Sequence, residues 1–322
     1  MLLIDFINVG SGDSILIREN APNGKQFVML IDCGDVDVGE AEVDSKRITS
    51  ADFLLNEGVD KIDLLVLTHL HLDHAGGLTR LLSKANVTEF WCNYIPERKL
   101  WGETVVVPDG YSEGARRLLT SLNVFSAALN EMSDHGVTIR RFNAEESSFV
   151  LGKDIHGEAF SEKEATSKQE EVWQLVFDGQ ATADDVDALN LLLNDASLRM
   201  RLTYAGHSVE LPGDFSSARW ERLQQPRCSI VKLPHHGHAD SLTERLASML
   251  SAEYVVVSVA NNRTDGFPAK ETMELAKRYS PHYLYTDAVK FPGLTPLYHE
   301  SVRFSISGDG ELTCSTCSQS QT

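Results

Sequence analysis

Leu67-Thr68-His69-Leu70-His71-Leu72-Asp73-His74-Ala75-Gly76-Gly77 is the stretch on which the reading of this chain turns. It follows a continuous apolar run at residues 62–67, rich in branched side chains, which suits a strand buried on both faces. In an extended segment, side chains two apart point the same way, so His69 and His71 can grip one cation together. Near Gly76 a helical pattern begins and runs to residue 84, and the turn into it aims Asp73 and His74 at a second position. Imidazole and carboxylate at this density suit zinc, manganese or iron, and suit calcium or magnesium poorly. The plain alternative is a solvated polar loop. Four such side chains directly after a buried strand argue against it.

Further along, Gly213-Asp214-Phe215 follows a hairpin pattern (198–204 and 208–211 around Ala205-Gly206). Two cations about 3.5–4 Å apart repel each other, and an anionic side chain between them lowers that cost. Asp214 stands where such a bridge is needed, although a lone Gly-Asp is usually a turn. The run 229–233 is another apolar strand, ending in Pro234-His235-His236-Gly237. Adjacent histidines in a strand face opposite sides. One of the two is therefore expected to bind metal, with His236 preferred, and the other to meet substrate or supply a proton. Asn194 and Asp195 either complete the first metal position or cap a turn. Asp13 and Asp32 either hold ligand histidines through their second ring nitrogen or are turn residues.

Strands and helices alternate in two blocks around these loops. Strands are expected at 2–8, 14–18, 27–31, 254–259, 283–285, 302–306 and 311–314. Helices are expected at 51–56, with Ser50 as its cap, and at 242–250 and 269–279. The stretch 144–190 differs in composition. It carries 12 acids against three bases, half of the chain's formal net charge of −18. It reads as a solvated, partly helical acidic insertion in a single domain spanning 1–322, and as a possible lid or surface for a protein partner.

Composition sets outer bounds. The chain has 322 residues, 42% apolar and 24% charged, which is globular usage and excludes disorder as its main state. A charge of −18 argues against a protein that holds long nucleic acid alone, because that task needs a basic stripe. It leaves open a nuclease that handles short pieces. No run of about 18 apolar residues spans a bilayer, and the opening lacks the basic start and small-residue cleavage site of a signal peptide. The expected location is the cytoplasm. Five scattered cysteines are not a disulfide framework, and Cys314-x-x-Cys317 reads as part of a polar tail.

In this order the pieces resemble the metallo-β-lactamase superfamily, and more narrowly the metal-hydrolase domain of ComEC-type DNA-uptake proteins. The resemblance rests on residues 8–14, 30–34, 67–77, 194–198, 213–214 and on Lys232-Leu233-Pro234-His235-His236-Gly237. It implies an α/β fold, a four-layer αββα sandwich with the site at one edge. It implies two divalent transition-metal ions, zinc or manganese, on His69, His71, Asp73, His74, Asp214 and one of His235 or His236, with Lys232 beside them. It implies hydrolysis, often of phosphodiesters, by a metal-bridging hydroxide, with Asp73 or the free histidine protonating the leaving oxygen. Alternatives are hydrolysis of another ester or lactone, or an effector subunit that works only with a partner. Three positions depart from the family pattern: Ser11 replaces a common glutamine, Asn194 or Asp195 stands where many members place a third histidine, and Gly266-Phe267-Pro268 replaces Gly-His-Pro.

Overall fold

The first strands explain the layering. Ile4, Phe6, Ile17, Met29, Leu64 and Val66 enter one core, whereas Leu16, Leu30, Leu65 and Leu67 enter another. A sheet buried on both faces needs a cover on each, and here the covers are a second sheet and a helical layer. The computed structural model describes residues 1–21, 24–39, 45–142, 147–223, 226–262, 266–289 and 297–318.

The first sheet contains β1 (Leu2–Ile7), β2 (Ile15–Asn20), β3 (Gln26–Ile31), β4 (Lys61–Leu67), β5 (Asn86–Cys92) and β6 (Thr138–Arg141). The second contains β7 (Ser147–Leu151), β8 (Ile155–Phe160), β9 (Arg199–Tyr204), β10 (His207–Leu211), β11 (Ile230–Lys232), β12 (Tyr254–Val257) and β13 (His282–Tyr285). The closing strands β14 (Ser301–Ile306) and β15 (Leu312–Cys317) return to the first sheet, whose order is β15-β14-β1-β2-β3-β4-β5-β6. The second runs β13-β12-β11-β10-β9-β8-β7. In each sheet an antiparallel block joins a parallel one, at β3–β4 and at β10–β11.

The helices are α1 (Ser50–Asn56), α2 (Leu72–Ala75), α3 (Leu78–Leu82), α4 (Glu113–Asp134), α5 (Lys163–Phe177), α6 (Ala183–Leu192), α7 (Ser217–Trp220), α8 (Glu244–Leu250) and α9 (Lys270–Tyr279). Phe53, Leu78, Phe125, Trp173 and Leu189 cover the outer face of the first sheet. Trp220, Leu246 and Met273 cover the outer face of the second. The result is the expected αββα order. Among the described residues, no helix is long and apolar enough to cross a membrane.

Several expectations need correction. The cap of α1 is Thr49, whose side chain accepts from the Asp52 amide, and not Ser50, whose hydroxyl bonds the Cys33 carbonyl. The helix expected from Gly76 to residue 84 is the shorter α3, and a separate single turn, α2, precedes it before Gly76 and Gly77, whose Cα atoms pack on Val36 and Cys33 backbone. The acidic stretch is not a solvated insertion. Residues 144–146 lie outside the described residues, but the rest supplies β7 and β8 to the second sheet and α5 and α6 to the helical layer. Its apolar residues decide this: Val172, Trp173, Val186 and Leu189 are buried, while Glu164, Glu171 and Asp184 sit on the solvent side. Charge density misled because it counted only the outer faces of amphipathic helices. Cys314 and Cys317 belong to β15, where residues three apart face opposite sides and cannot share a ligand.

Candidate active site

The segments that follow β3, β4, β10 and β11 at their C-terminal ends meet at one edge of the sandwich, joined by the glycine loop between β1 and β2. Backbone bonds knit them together: the Cys33 amide donates to the His74 carbonyl at 2.8 Å, the Gly34 amide to Asp13 at 2.8 Å and the Gly77 amide to Gly34 at 3.1 Å. Gly12 sits at φ +109°, and a Cβ there would overlap the Asp73 carbonyl oxygen. The opening glycine loop and the histidine loop can approach this closely only through glycine.

Each imidazole is anchored on its outer side. A carbonyl or carboxylate oxygen only accepts, so the ring nitrogen facing it carries the proton. His74 Nδ1 donates to Asp32 Oδ2 at 2.8 Å, His236 Nδ1 to the Ser258 carbonyl at 3.1 Å, and His71 Nε2 to the Asn190 carbonyl at 3.1 Å. Thr68 Oγ1 gives its proton to Asp32 Oδ2 at 2.7 Å, so His69 Nδ1 donates to that hydroxyl at 3.0 Å. In the neutral rings the four inner nitrogens, His69 Nε2, His71 Nδ1, His74 Nε2 and His236 Nε2, therefore turn lone pairs inward. Of these, His74 Nε2 and His236 Nε2 are buried without a hydrogen-bond partner.

Asp214 stands at their centre. Its amide is held by Ser197 Oγ at 3.1 Å. Its Oδ1 accepts from the His235 amide at 3.0 Å and from Lys232 Nζ at 3.3 Å. Its Oδ2 lies 3.4 Å from His74 Nε2, 3.4 Å from His236 Nε2 and 4.0 Å from His69 Nε2. Asp73 Oδ2 is 3.2 Å from His236 Nε2, and His71 Nδ1 is 3.0 Å from His69 Nε2. Ligand atoms about 2.0–2.1 Å from a shared cation lie roughly 3.0–3.4 Å from one another. The donor set fits divalent transition metals in spacing and in chemistry.

Electrostatics point the same way. Burial raises the pKa of Asp214 and Asp73, but His236 and His74 outweigh it and hold both carboxyls well below the usual range. Burial lowers His74 and His236, but Asp214, with Asp32 on one side and Asp73 on the other, drives both upward. Desolvation keeps His69 and His71 down. Lys232, fully buried, pairs with Asp13 and Asp214 and donates to the Gly213 carbonyl at 3.0 Å. Without other cations, protons on His74 and His236 are what balances these carboxylates.

The sequence expectations sort clearly. His69, His71, Asp73, His74, Asp214 and His236 come together, with Asp13, Asp32 and Lys232 against them. Asp195 does not join them: its Oδ2 pairs with Arg219 Nε at 2.9 Å, and the residue of that motif that reaches the site is Ser197. The segment carrying His235 and His236 is not a strand. His235 (φ 47°), His236 (φ 54°) and Gly237 (φ 77°) form a left-handed turn, which separates the two rings to 6.3 Å between centroids. His236 is buried and His235 lines the pocket mouth. Phe267, at the position where the family pattern places a histidine, packs against His235 at 5.5 Å.

Above the cluster lies a pocket of about 460 Å³ whose lining includes Ser11, Asp35, Glu113, Arg117, Asn190 and His235. Arg117, from α4, is the one Lys or Arg on this wall among the described residues and is bonded to Asp35 Oδ2 at 2.6 Å. The sequence reading passed over Arg117, Asn190 and Ser258, and it quoted Thr68 and Ser197 within motifs without giving them a role.

The metallo-β-lactamase superfamily model matches residues 7–260. The chain belongs to this superfamily. Members are metal-dependent hydrolases with the αββα fold seen here. The chain is also 21% identical over 295 residues to ComE operon protein 3 of Bacillus subtilis (strain 168), covering 88% of this chain and 32% of that one. It thus spans about a third of that relative's length. Among solved structures it is similar to the metallo-β-lactamase fold protein YhfI of Bacillus subtilis, with a TM-score of 0.48 and 10% identity over 88% of this chain and 96% of that one. It is also similar to a diphosphatase from the PhnP family, with a TM-score of 0.42 and 12% identity over 98% and 99%.

Proposed function

We propose that the chain is a dinuclear metal-dependent hydrolase of phosphodiesters, acting as a phosphodiesterase or nuclease. The observation that carries this reading is the convergence of three imidazole nitrogens, of His74, His236 and His69, on Asp214 Oδ2, with Asp73 against His236 and His71 against His69. One zinc or manganese would rest on His69 Nε2, His71 Nδ1 and Asp214, and the other on Asp73, His74, His236 and Asp214. When bound, such a pair supplies Lewis acidity and an activated water at neutral pH.

The chain's own residues do the rest. Lys232 and the His235 amide hold Asp214 Oδ1, which fixes Oδ2 toward the imidazoles. Asp32 fixes the ring of His74 through Nδ1, as a supporting carboxylate does for a ligand histidine. Arg117 offers the pocket a fixed positive charge for the non-scissile side of an anionic substrate. The ring of His235, at the pocket mouth and 3.4 Å from Asp240, carries a proton to a leaving oxygen. The ComEC-type resemblance along most of the chain favours a phosphodiester over other esters.

Metal-loaded protein should hydrolyse bis-(p-nitrophenyl) phosphate or short single-stranded DNA, and Asp214→Ala or His69→Ala should remove that turnover. Lactone or carboxylic ester turnover without phosphodiester turnover would displace this reading. Inertness on both panels with two metals bound would end it.

A further inference from the structure

A second convergence of metal-type side chains lies outside the cluster around Asp214. His235 Nδ1 is 3.4 Å and His238 Nδ1 is 2.6 Å from Asp240 Oδ1. The two rings have centroids 4.7 Å apart and planes tilted by 37°. These three donors come from six consecutive residues, and the backbone explains how they meet. His235 and His236 both take left-handed φ values, which side chains other than glycine rarely adopt. That conformation turns His236 inward to the carboxylates and His235 outward to His238.

The turn is fastened on both sides. The His238 amide donates to the His235 carbonyl at 2.9 Å, the Ala269 amide to Gly237 at 2.8 Å, and Thr272 Oγ1 to the His238 carbonyl at 2.8 Å. Phe267 closes one flank, with its ring 5.5 Å from His235 and 5.1 Å from His238. The backbone that carries the donors is thus held in place on both sides.

We propose that His235, His238 and Asp240 form a separate cation site at the mouth of the pocket, taking a borderline divalent ion such as zinc. Two imidazoles and a carboxylate, with a fourth position left to solvent, are a usual zinc set, whereas magnesium and calcium want more oxygen ligands. The Asp240–His235 separation already matches two ligands on one ion. The Asp240–His238 separation must open by about half an ångström to reach roughly 3.0 Å. The Asp240 side chain, 57% exposed, can give that movement. Coordination through Nδ1 would block the imidazolium form of His235, because a metal-bound neutral ring does not readily give up its Nε2 proton, so an ion here would switch off the proton-carrying role assigned to that ring above. An ion here would also set a positive charge beside a pocket that carries Asp35, Asp73, Glu113 and Asp214. The effect on substrate rests on the proposed function; the binding itself does not.

The test is equilibrium dialysis of chelator-stripped protein against zinc alone, for the wild type, His238→Ala, Asp240→Asn and Asp214→Ala. His238→Ala and Asp240→Asn should each bind one zinc fewer per chain, or bind the weakest zinc at least tenfold less tightly. Asp214→Ala should keep that zinc while losing others. In histidine-ring NMR of the wild type, zinc should shift the His238 signals. Equal zinc number and affinity in the wild type and both loop variants, with unmoved His238 signals, overturns the site. Failure of the dinuclear reading would instead appear in Asp214→Ala, as a zinc count no lower than the wild type's.

Discussion

Replacing Lys232 by methionine isolates the electrostatics of the site from its shape. Methionine nearly matches the stem of lysine and removes the ammonium. That ammonium is fully buried and contacts Asp13, Asp214 Oδ1 at 3.3 Å and the Gly213 carbonyl at 3.0 Å. Removing one partner of a buried ion pair costs about 3–5 kcal/mol, because the remaining charge is left uncompensated. Unfolding entropy near 2.1 cal/mol/K per residue gives about 0.68 kcal/mol/K for 322 residues. The midpoint should therefore fall by about 4–7 °C in chelator-treated protein. Calorimetry in chelator and then in manganese or zinc reads both states. Bound cations beside Asp214 take over part of the lost compensation, so the deficit should narrow on loading. A drop below 1 °C in chelator, or a deficit that widens with metal, would refute the reasoning.

Trp173→Ala should cost about 3–5 kcal/mol by cavity formation, because the indole is fully buried against the helical layer, and urea unfolding checks it; a loss under 1 kcal/mol would restore a loose acidic insertion. Stability should also decline in acid. Burial raises Asp287, but Ser45, Arg47 and the Asn261 and Ala288 amides outweigh it, and Arg18 and Arg303 do the same for Glu57. Both folded values lie below the ordinary 3.8 and 4.5, so their contribution is complete above those values and is lost as pH falls beneath them. Urea midpoints of chelator-treated protein should already slip as pH falls beneath 6.5, where unfolded His69 and His71 take up protons that the buried rings refuse, and should fall further below about pH 4.5 as the carboxylates protonate; a flat profile to pH 3 would contradict the assignment.

The ligand-bearing loops were legible because their chemistry is local. His69 and His71 alternate on an extended segment, and Asp73 and His74 open a helical turn; spacing alone places them. Asp214 and His236 were legible only in company, since a lone Gly-Asp or His pair says little. What escaped acts through the main chain or over distance. Asn190 and Ser258 orient His71 and His236 through carbonyl oxygens, which carry no side-chain signature. Arg117 reaches the pocket from α4, a helix the sequence reading did not single out and whose apolar face at Leu118, Leu122, Phe125 and Leu129 gives no hint of what it overlooks. The double left-handed turn at His235 and His236 contradicted a sound rule, since such residues rarely follow one another without glycine.

Gly12, lodged against the Asp73 carbonyl, has a practical consequence for anyone who would retune this protein. The floor of the pocket is cast in one piece: position 12 admits only hydrogen, and any bulk there would push the histidine loop off its anchor points. Selectivity has to be engineered from the opposite bank, where Glu113, Arg117 and Asn190 lean over the opening and can be exchanged without disturbing the foundation beneath.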